Sequence, residues 1–265
     1  MAGLRVKLLA AALVACLVAA LSAIGSFPAL LTMDARAVAQ RFEALEPIDL
    51  NGPTLFLSDF HLTDPDTRIR IPLDGIEHIV IVGDFFQSPG DFRKFGATDR
   101  ARIEGGLGAF LPDDFTDTVH FISARAHDPR LPPMEFQHGG LLVAHVGKEA
   151  KFTIGEHVVV ATHGEDFFRG VPGGLVSRMP QAVGLPLPLE RIARARMGLS
   201  GDTWLVTAHS HVPALHEASR TANTGSFAGV TFNGIFRVRV GTGIRFDLDG
   251  VELQAYEGIT PTLWP

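Results

Sequence analysis

Residues 54–61 read Thr54-Leu55-Phe56-Leu57-Ser58-Asp59-Phe60-His61, an apolar run that ends in two side chains able to bind metal. A short apolar run followed by polar residues predicts a buried strand and the loop after it. Asp59 and His61 are two residues apart, so on extended backbone they point to one face and reach the same ion. A lone Asp-x-His is more often structural than metal-binding, and its meaning therefore depends on the rest of the chain.

Four more apolar runs end in the same kind of residue. The five predicted strands are Thr54–Leu57, Ile79–Val82, Val119–Ile122, Val158–Thr162 and Trp204–Thr207. The side chains that follow them are Asp59 and His61, then Asp84, His127, His163, and finally His209 and His211. Open α/β sheets place their ligand sites at the carboxyl ends of the strands, so these side chains are expected to converge. Two Asp and four His are enough to hold two transition-metal ions side by side.

The remaining pattern predicts helices and a meander around this sheet edge. The predicted helices are Ala35–Glu46, Asp99–Phe110 and Leu187–Met197. Alternating stretches at Thr231–Val240, Ile244–Leu248 and Val251–Tyr256 predict an antiparallel meander at the edge of a second sheet. The predicted domains are an N-terminal segment over residues 1–31, a helical linker over 32–52 and one folded domain over 53–265.

Composition narrows the class of protein. The chain has 265 residues, 46% of them hydrophobic, which is enough to bury a full core. A formal net charge of -6 offers no basic surface for nucleic acid, so nucleic acid is not expected as an obligate partner. The single cysteine, Cys16, excludes an intramolecular disulfide.

The N-terminal segment predicts a membrane destination. No charged residue occurs from Leu8 to Gly25, and Arg5 and Lys7 stand just before this run. Such a segment is a membrane anchor helix or a cleaved signal peptide. A lipoprotein site at Cys16 is a third alternative, although the apolar residues after it argue against a polar tether. With Arg5 and Lys7 inside, the domain is expected to lie outside the cytoplasm, anchored to a membrane, or else to be secreted or periplasmic.

The order of these motifs resembles the calcineurin-like metallophosphoesterase superfamily. Its pattern runs Asp-x-His, Gly-Asp, Gly-Asn-His-Asp or Glu, His-Gly and Gly-His-x-His, and here it extends from Leu57 to about Phe227. The strings around Asp59, Asp84 and His163 are similar to the branch that cleaves UDP-2,3-diacylglucosamine. The resemblance implies a two-sheet α/β sandwich with flanking helices, here preceded by an N-terminal apolar helix.

The resemblance also implies a role for each matched residue. Asp59, His61 and His211 would hold one ion, His163 and His209 the other, and Asp84 would bridge the two. The ions would be Mn, Fe or Zn, since Asp/His sites accept several metals. His127 matches the histidine that contacts the phosphate and protonates the leaving oxygen, so His127 and Asp84 are the expected catalytic residues. The implied reaction is hydrolysis of a phosphodiester or pyrophosphate bond by an activated water molecule.

One position departs from the family pattern. The asparagine that would precede His127 is replaced by Ala126, which has no donor atom. Three interpretations follow: a dinuclear enzyme with water in the gap, an enzyme with a weakened or absent second ion, or a degenerate, non-catalytic binding protein. Arg125 adds a cation beside this position and is a candidate to bind the substrate phosphate together with His127.

The expected substrate is a phosphorylated small molecule, either lipid-like or nucleotide-linked. Four phenylalanines near the motifs, Phe85, Phe86, Phe167 and Phe168, would suit an amphiphilic substrate, but they suit a hydrophobic core equally well. A serine hydrolase built on Ser210 or Ser226 has little support, because the chain lacks a nucleophile-elbow glycine pattern around them.

Overall fold

The computed structural model describes residues 35–167, 187–229, 231–232, 236–237, 241–256 and 262–263. The predicted apolar helix within residues 1–31, including Cys16, lies outside these described residues. Among the residues that are described, no helix has the length and apolar character needed to cross a membrane.

Within the described residues the chain forms strands β1–β17 and helices α1–α4. The strands are β1 (Pro47–Leu50), β2 (Thr54–Leu57), β3 (His78–Val82), β4 (Thr118–Ile122), β5 (Met134–His138), β6 (Leu141–Gly147), β7 (Glu149–Ile154), β8 (His157–Thr162), β9 (Thr203–Thr207), β10 (Ala214–His216), β11 (Thr221–Asn223), β12 (Ala228–Gly229), β13 (Thr231–Phe232), β14 (Phe236–Arg237), β15 (Thr242–Phe246), β16 (Val251–Ala255) and β17 (Thr262–Leu263). The helices are α1 (Ala35–Glu43), α2 (Pro89–Phe92), α3 (Asp99–Leu107) and α4 (Pro188–Met197), with single 3₁₀ turns at Arg93–Phe95 and Glu217–Ser219.

Two mixed sheets form a sandwich. The larger has the order β16-β15-β2-β3-β4-β6-β5, and the smaller has the order β1-β7-β8-β9-β11-β10. Strands β2, β3 and β4 run parallel in the first sheet, and β8, β9 and β11 run parallel in the second. The predicted α/β sandwich is therefore present, with the strands that precede the motifs divided between its two sheets.

Three apolar clusters hold the layers together. One cluster joins the facing sides of the two sheets and includes Phe56, Val80, Phe152 and Val206. A second covers the outer face of the larger sheet, where α3 packs. A third covers the outer face of the smaller sheet with α1 and α4, through residues that include Leu189. Burial of both faces explains why the central strands read as continuous apolar runs rather than alternating ones.

The strands predicted before the motifs and the predicted helices agree with the structure except at their ends, whereas the predicted meander does not. The five predicted strands are β2, β3, β4, β8 and β9, and the predicted helices are α1, α3 and α4. Within the predicted linker over residues 32–52, α1 is followed by β1, which pairs with β7. The meander prediction was wrong in one respect, because β15 pairs with β2 and so extends the first sheet rather than forming the edge of a second. The single strand predicted over 231–240 was also wrong, because its described residues form two short strands, β13 and β14, that pair antiparallel with each other. The rest of this range lies outside the described residues.

Candidate metal centre

The structure brings the six predicted metal ligands together in two groups that share Asp84. In each group, one potential ligand atom per residue lies within 4.8 Å of those of the other members. The first group is Asp59, His61, Asp84 and His211, and the second is Asp84, His163 and His209. The residues come from loops after β2, β3, β8 and β9, so both sheets contribute to the centre.

The atoms of the first group are spaced like the ligands of one ion. His211 Nε2 lies 2.9 Å from Asp59 Oδ1, and His61 Nε2 lies 3.3 Å from His211 Nε2. The same nitrogen of His61 is 3.7 Å from Asp84 Oδ2 and 3.8 Å from Asp59 Oδ1. Tetrahedral ligands about 2.1 Å from a zinc-like ion are about 3.4 Å apart, so this donor set fits a metal ion.

The second group has the same spacing with one donor fewer. His163 Nε2 lies 3.2 Å from Asp84 Oδ2 and 3.2 Å from His209 Nδ1. His163 Nδ1 donates to the Val82 carbonyl at 2.9 Å, which directs Nε2 toward the centre. Nε2 thus faces the Asp84 carboxylate, a position that either a proton on this nitrogen or a metal ion between the two groups would satisfy. The second group therefore also fits a metal ion, with three protein ligands.

Protonation in the first group suits metal binding. Burial opposes ionisation of Asp59, but the adjacent His211 holds the pKa of this carboxyl well below its usual range. Burial lowers the pKa of His61, which favours the neutral imidazole. Ionised carboxylates and neutral imidazoles are the forms that ligate metals.

The second group contains one exception to this rule. Despite burial, the neighbouring His163 lowers the pKa of Asp84, and burial lowers the pKa of His209 to about 4. Burial would also lower the pKa of His163, but the Asp84 carboxylate reverses the effect and raises it. Ligation of a metal ion would require His163 to release its proton, which ties binding at this group to pH.

The backbone is strained at five of the six ligands. Only seven non-glycine residues of the described part of the chain have positive φ, and five of them belong to the centre. These are Asp59 at 51°, His61 at 49°, Asp84 at 49°, His209 at 63° and His211 at 57°. Each such conformation costs about 1–3 kcal/mol and persists where the surrounding structure holds it. The strain turns side chains that follow straight strands toward one point.

The turn after β11 supports Asp59 from behind. Ser58 Oγ donates to Asp59 Oδ2 at 2.5 Å and lies 2.5 Å from Thr224 Oγ1. Ser226 Oγ donates to the Asp59 carbonyl at 3.1 Å. Partners of this kind orient a metal ligand and fix its charge.

The same strand supports the loop that carries His209 and His211. Asn223 Nδ2 donates to the Ala208 carbonyl at 2.7 Å, to Ser210 Oγ at 3.1 Å and to Glu190 Oε1 at 3.3 Å. Glu190 is fully buried at the start of α4, and this burial raises its pKa to about 7. A buried helix terminus is thereby linked to the loop of the metal centre.

His127 lies at the rim of the centre. Its Nδ1 donates to the Gln87 carbonyl at 2.5 Å, and its Nε2 lies 3.8 Å from Asp84 Oδ2. The following residue, Asp128, is buried and accepts the amide hydrogens of Phe85, Phe86 and Ala124 at 3.0–3.1 Å. The structure thus places His127 beside the predicted ligands with one nitrogen directed toward them.

The side chain of Arg125 is largely exposed. The exposed fraction is 54%, and Nη1 is 4.0 Å from Asp166 Oδ1. The backbone amides of Arg125 and Ala126 donate to the carboxylate of Glu165. A phosphate-binding role for Arg125 remains a prediction.

The predicted amphiphile contacts are core residues where the structure describes them. Phe85 and Phe86 are fully buried, and Phe167 is 1% exposed. Phe85 packs edge-to-face on Phe60 with ring centroids 5.2 Å apart. Phe168 lies outside the described residues. These rings therefore stabilise the loops of the centre from below.

No protein family model matches this chain, and no curated protein matches it. Among solved structures, a single mutant of Vps29 from Entamoeba histolytica is 14% identical, with a TM-score of 0.39 over 77% of this chain and 99% of that one. Wild-type Vps29 complexed with Zn²⁺, from the same organism, is 14% identical, with a TM-score of 0.37 over 77% and 98%. A conserved uncharacterized protein from Streptococcus pneumoniae, described as a predicted phosphoesterase, is 13% identical, with a TM-score of 0.38 over 78% and 94%. Function is therefore inferred from this chain's own residues.

Sequence reasoning did not identify the residues that support the centre. Ser58, Thr224 and Glu165 are common surface-type residues, and no spacing rule links them to their partners. Asp128 offered a weak signal, because a carboxylate directly after His127 is part of the family pattern. The contacts of Ser58 with Thr224 and of Glu165 with Ala126 join segments 166 and 39 residues apart.

Proposed function

We propose that this protein is a metal-dependent phosphoesterase of the calcineurin-like type, which hydrolyses a phosphodiester or pyrophosphate bond. The observation that carries the proposal is the position of Asp84, the one residue that belongs to both ligand groups. A carboxylate shared by two groups of Asp and His is the arrangement used to hold two neighbouring ions for phosphoryl chemistry. The motif order supports the same proposal.

The ligands define the charge of the site. Two divalent ions bring four positive charges, and Asp59 and Asp84 remove two of them, which leaves a surplus that attracts a phosphate ester. When bound, such ions polarise the phosphoryl group and lower the pKa of a water molecule. The neutral histidines His61 and His209 preserve this positive surplus.

His127 is proposed to handle the proton of the leaving group. Its Nδ1 hydrogen is engaged by the Gln87 carbonyl, so the proton given to the leaving oxygen would come from Nε2 of the imidazolium form, which then becomes the neutral imidazole. His127 Nε2 is directed toward Asp84, and the His127 side chain is 25% exposed. Nε2 is therefore accessible to a bound ester. General acid catalysis by a positioned histidine contributes about 10²–10⁴-fold.

The substrate class belongs to the same proposal. A positively charged centre between polar loops suits a phosphorylated small molecule, either lipid-like or nucleotide-linked. Tethering to a membrane by residues 1–31, with the domain outside the cytoplasm, would favour the lipid-like choice.

Ala126 favours a second candidate function. The second group has three protein ligands against four in the first, and Ala126 adds no donor. A protein that binds a single ion and does not turn over substrate would show this asymmetry.

Metal content and turnover together test these proposals. The proposed enzyme binds two ions per chain and hydrolyses bis(p-nitrophenyl) phosphate with added Mn²⁺. Asp84→Asn should lose both ions, whereas His211→Ala should weaken the first ion and His209→Ala the second. His138→Ala is the matched control, because this histidine is exposed on β5 and belongs to neither group.

The outcomes separate the two candidates. Turnover that requires metal and disappears in Asp84→Asn supports the enzyme. Metal binding at one ion per chain without turnover supports the non-catalytic alternative. A wild-type chain that binds no transition metal would overturn both.

A further inference from the structure

The loop that carries His127 is fastened by two carboxylates. This loop, residues 124–128, is called the His127 loop below. Asp128 Oδ2 accepts the amide hydrogen of Ala124 at 3.0 Å and thus closes the loop on itself. Glu165 reaches in from outside: Oε1 accepts the amide of Arg125, and Oε2 accepts the amide of Ala126 at 3.2 Å.

Glu165 belongs to the loop of a metal-centre residue. It follows His163 by two positions, after Gly164, whose φ is 102°. Its carboxylate therefore links the His163 loop to the His127 loop, which are about forty residues apart in sequence. Hydrogen bonds from backbone amides to a carboxylate are charge-assisted and are stronger than neutral ones.

This link acts at the position where the chain departs from the motif. Ala126 carries only a methyl group, so its side chain cannot anchor the loop to the metal centre. Its backbone amide is anchored instead, by Glu165. Fixing the loop through its backbone needs no side-chain donor at position 126.

The ion pair of Arg125 is a weaker fastening. Its Nη1 is 4.0 Å from Asp166 Oδ1, with 54% and 32% of the two side chains exposed. Exposed pairs at this separation contribute little to holding a loop. Of these two contacts, the amide hydrogen bonds of Glu165 are therefore the stronger tie between the loops.

We propose that Glu165 is a positioning residue that holds the His127 loop in place and so sets the distance of His127 from the metal centre. The proposal rests on the proposed function for its catalytic consequence. His127 directly follows the two amides that Glu165 accepts, and its Nε2 lies 3.8 Å from Asp84 Oδ2. Misplacement of a catalytic group by about 1 Å can reduce turnover about 100-fold.

The kinetic test compares two diesters that differ in their need for a proton. A p-nitrophenyl diester releases p-nitrophenolate, which is a stable anion and needs little protonation. A phenyl diester releases the more basic phenolate, so its hydrolysis depends more on an acid at the leaving oxygen. Glu165→Ala should lower kcat for the phenyl diester about 10–100-fold, and for the p-nitrophenyl diester much less, as His127→Ala should. The variant that combines Glu165→Ala with His127→Ala should be no slower than His127→Ala alone, because both changes remove the same contribution, proton transfer by His127.

Two further variants control for charge and folding. Glu165→Gln keeps one acceptor oxygen, so its kcat for the phenyl diester should lie between those of wild type and Glu165→Ala. Glu156→Ala removes an exposed glutamate from the turn between β7 and β8 and should leave both rates unchanged. If Glu165→Ala does not fold, Glu165→Gln serves the same comparison.

A measurement independent of activity separates this proposal from the proposed function. In the metal-loaded protein, the amides of Arg125 and Ala126 should exchange with solvent at least 10-fold faster in Glu165→Ala than in wild type. Unchanged exchange at these two amides would overturn the proposal whatever the rates show. Equal losses on both esters that add to the His127→Ala effect would also overturn it. A wild-type chain without turnover would end the proposed function, while the exchange result would still decide whether Glu165 holds the loop.

Discussion

Gly83 occupies a tightly packed position beneath the metal centre, and replacing it with alanine tests the placement of His163. It stands between Val82, whose carbonyl accepts His163 Nδ1, and the shared ligand Asp84. A Cβ at this position would lie 2.8 Å from His163 Cγ, 2.8 Å from His163 Nδ1 and 2.9 Å from the Ala124 Cβ. The φ of Gly83 is 75°, a conformation that alanine adopts only at a cost.

The expected loss of stability has two parts. The left-handed conformation costs an L-residue about 1–2 kcal/mol relative to glycine. Relief of the close contacts requires the His163 ring and Ala124 to move, and overpacking of this kind costs about 1–3 kcal/mol. Gly83→Ala should therefore lower the free energy of unfolding by about 2–5 kcal/mol.

A second glycine isolates the backbone part of this cost. Gly139 lies between β5 and β6 with φ 61°, and a Cβ there would have nothing within 4 Å. Gly139→Ala should therefore cost only about 1–2 kcal/mol and leave metal binding unchanged. The difference between the two variants measures the steric part alone.

The assay is urea unfolding in EDTA, followed by metal titration of the folded protein. EDTA removes the stabilisation that bound metal would add to the native state. Gly83→Ala should weaken the ion held by His163 and His209 more than the ion held by His61 and His211, because the displaced His163 is a ligand of the former ion only. Equal unfolding free energies and equal metal affinities for Gly83→Ala and Gly139→Ala would refute the close packing of His163 on Gly83.

Three other predictions concern the support of the site. Ala126→Asn should raise the affinity for the second ion about 10-fold, because the amide oxygen adds a neutral ligand. Competition with a metal indicator measures this affinity, and a lower value would contradict the ligand assignment. Ser58→Ala should weaken metal binding about 10–100-fold, because Ser58 Oγ orients Asp59. Isothermal titration measures the affinity, and an unchanged value would contradict this role of Ser58. Burial raises the pKa of Glu190 to about 7, so its contribution to stability is full below its unfolded pKa of about 4.5 and is lost as pH rises through about 7. The unfolding free energy of Glu190→Gln should therefore rise relative to that of wild type by about 3 kcal/mol between pH 4.5 and pH 8, as measured by urea unfolding. A difference that does not change with pH would argue against a buried carboxyl with a raised pKa.

The sequence predicted the central elements because their signal is local. Apart from one or two half-buried residues at the start of β3, β4 and β8, the residues of β2, β3, β4, β8 and β9 are buried on both faces. Such strands are continuous apolar runs that end abruptly in polar loops. Strands β5 to β7 were not predicted. In β7, Glu149–Ile154, half-buried and buried residues alternate over only six positions, which is a weaker signal than a continuous run.

Which strands share a sheet was decided only by the tertiary structure. The position of β15 next to β2 depends on pairing between residues almost two hundred positions apart. No local pattern states which of several available edges a strand will join, because any edge offers the same backbone donors and acceptors. Packing of the two inner faces makes that choice.

The same division holds at the metal centre. The types and order of Asp59, Asp84, His163 and His209 could be read from the chain, because metal chemistry restricts ligands to a few residue types and the family pattern orders them. The positive φ angles of Asp59, Asp84 and His209, the tie from Glu165 to Ala126 and the contact of Gly83 with His163 could not be read. These features exist only when distant segments are held at ångström distances, and the free energy that holds them there comes from the packed sandwich beneath the loops.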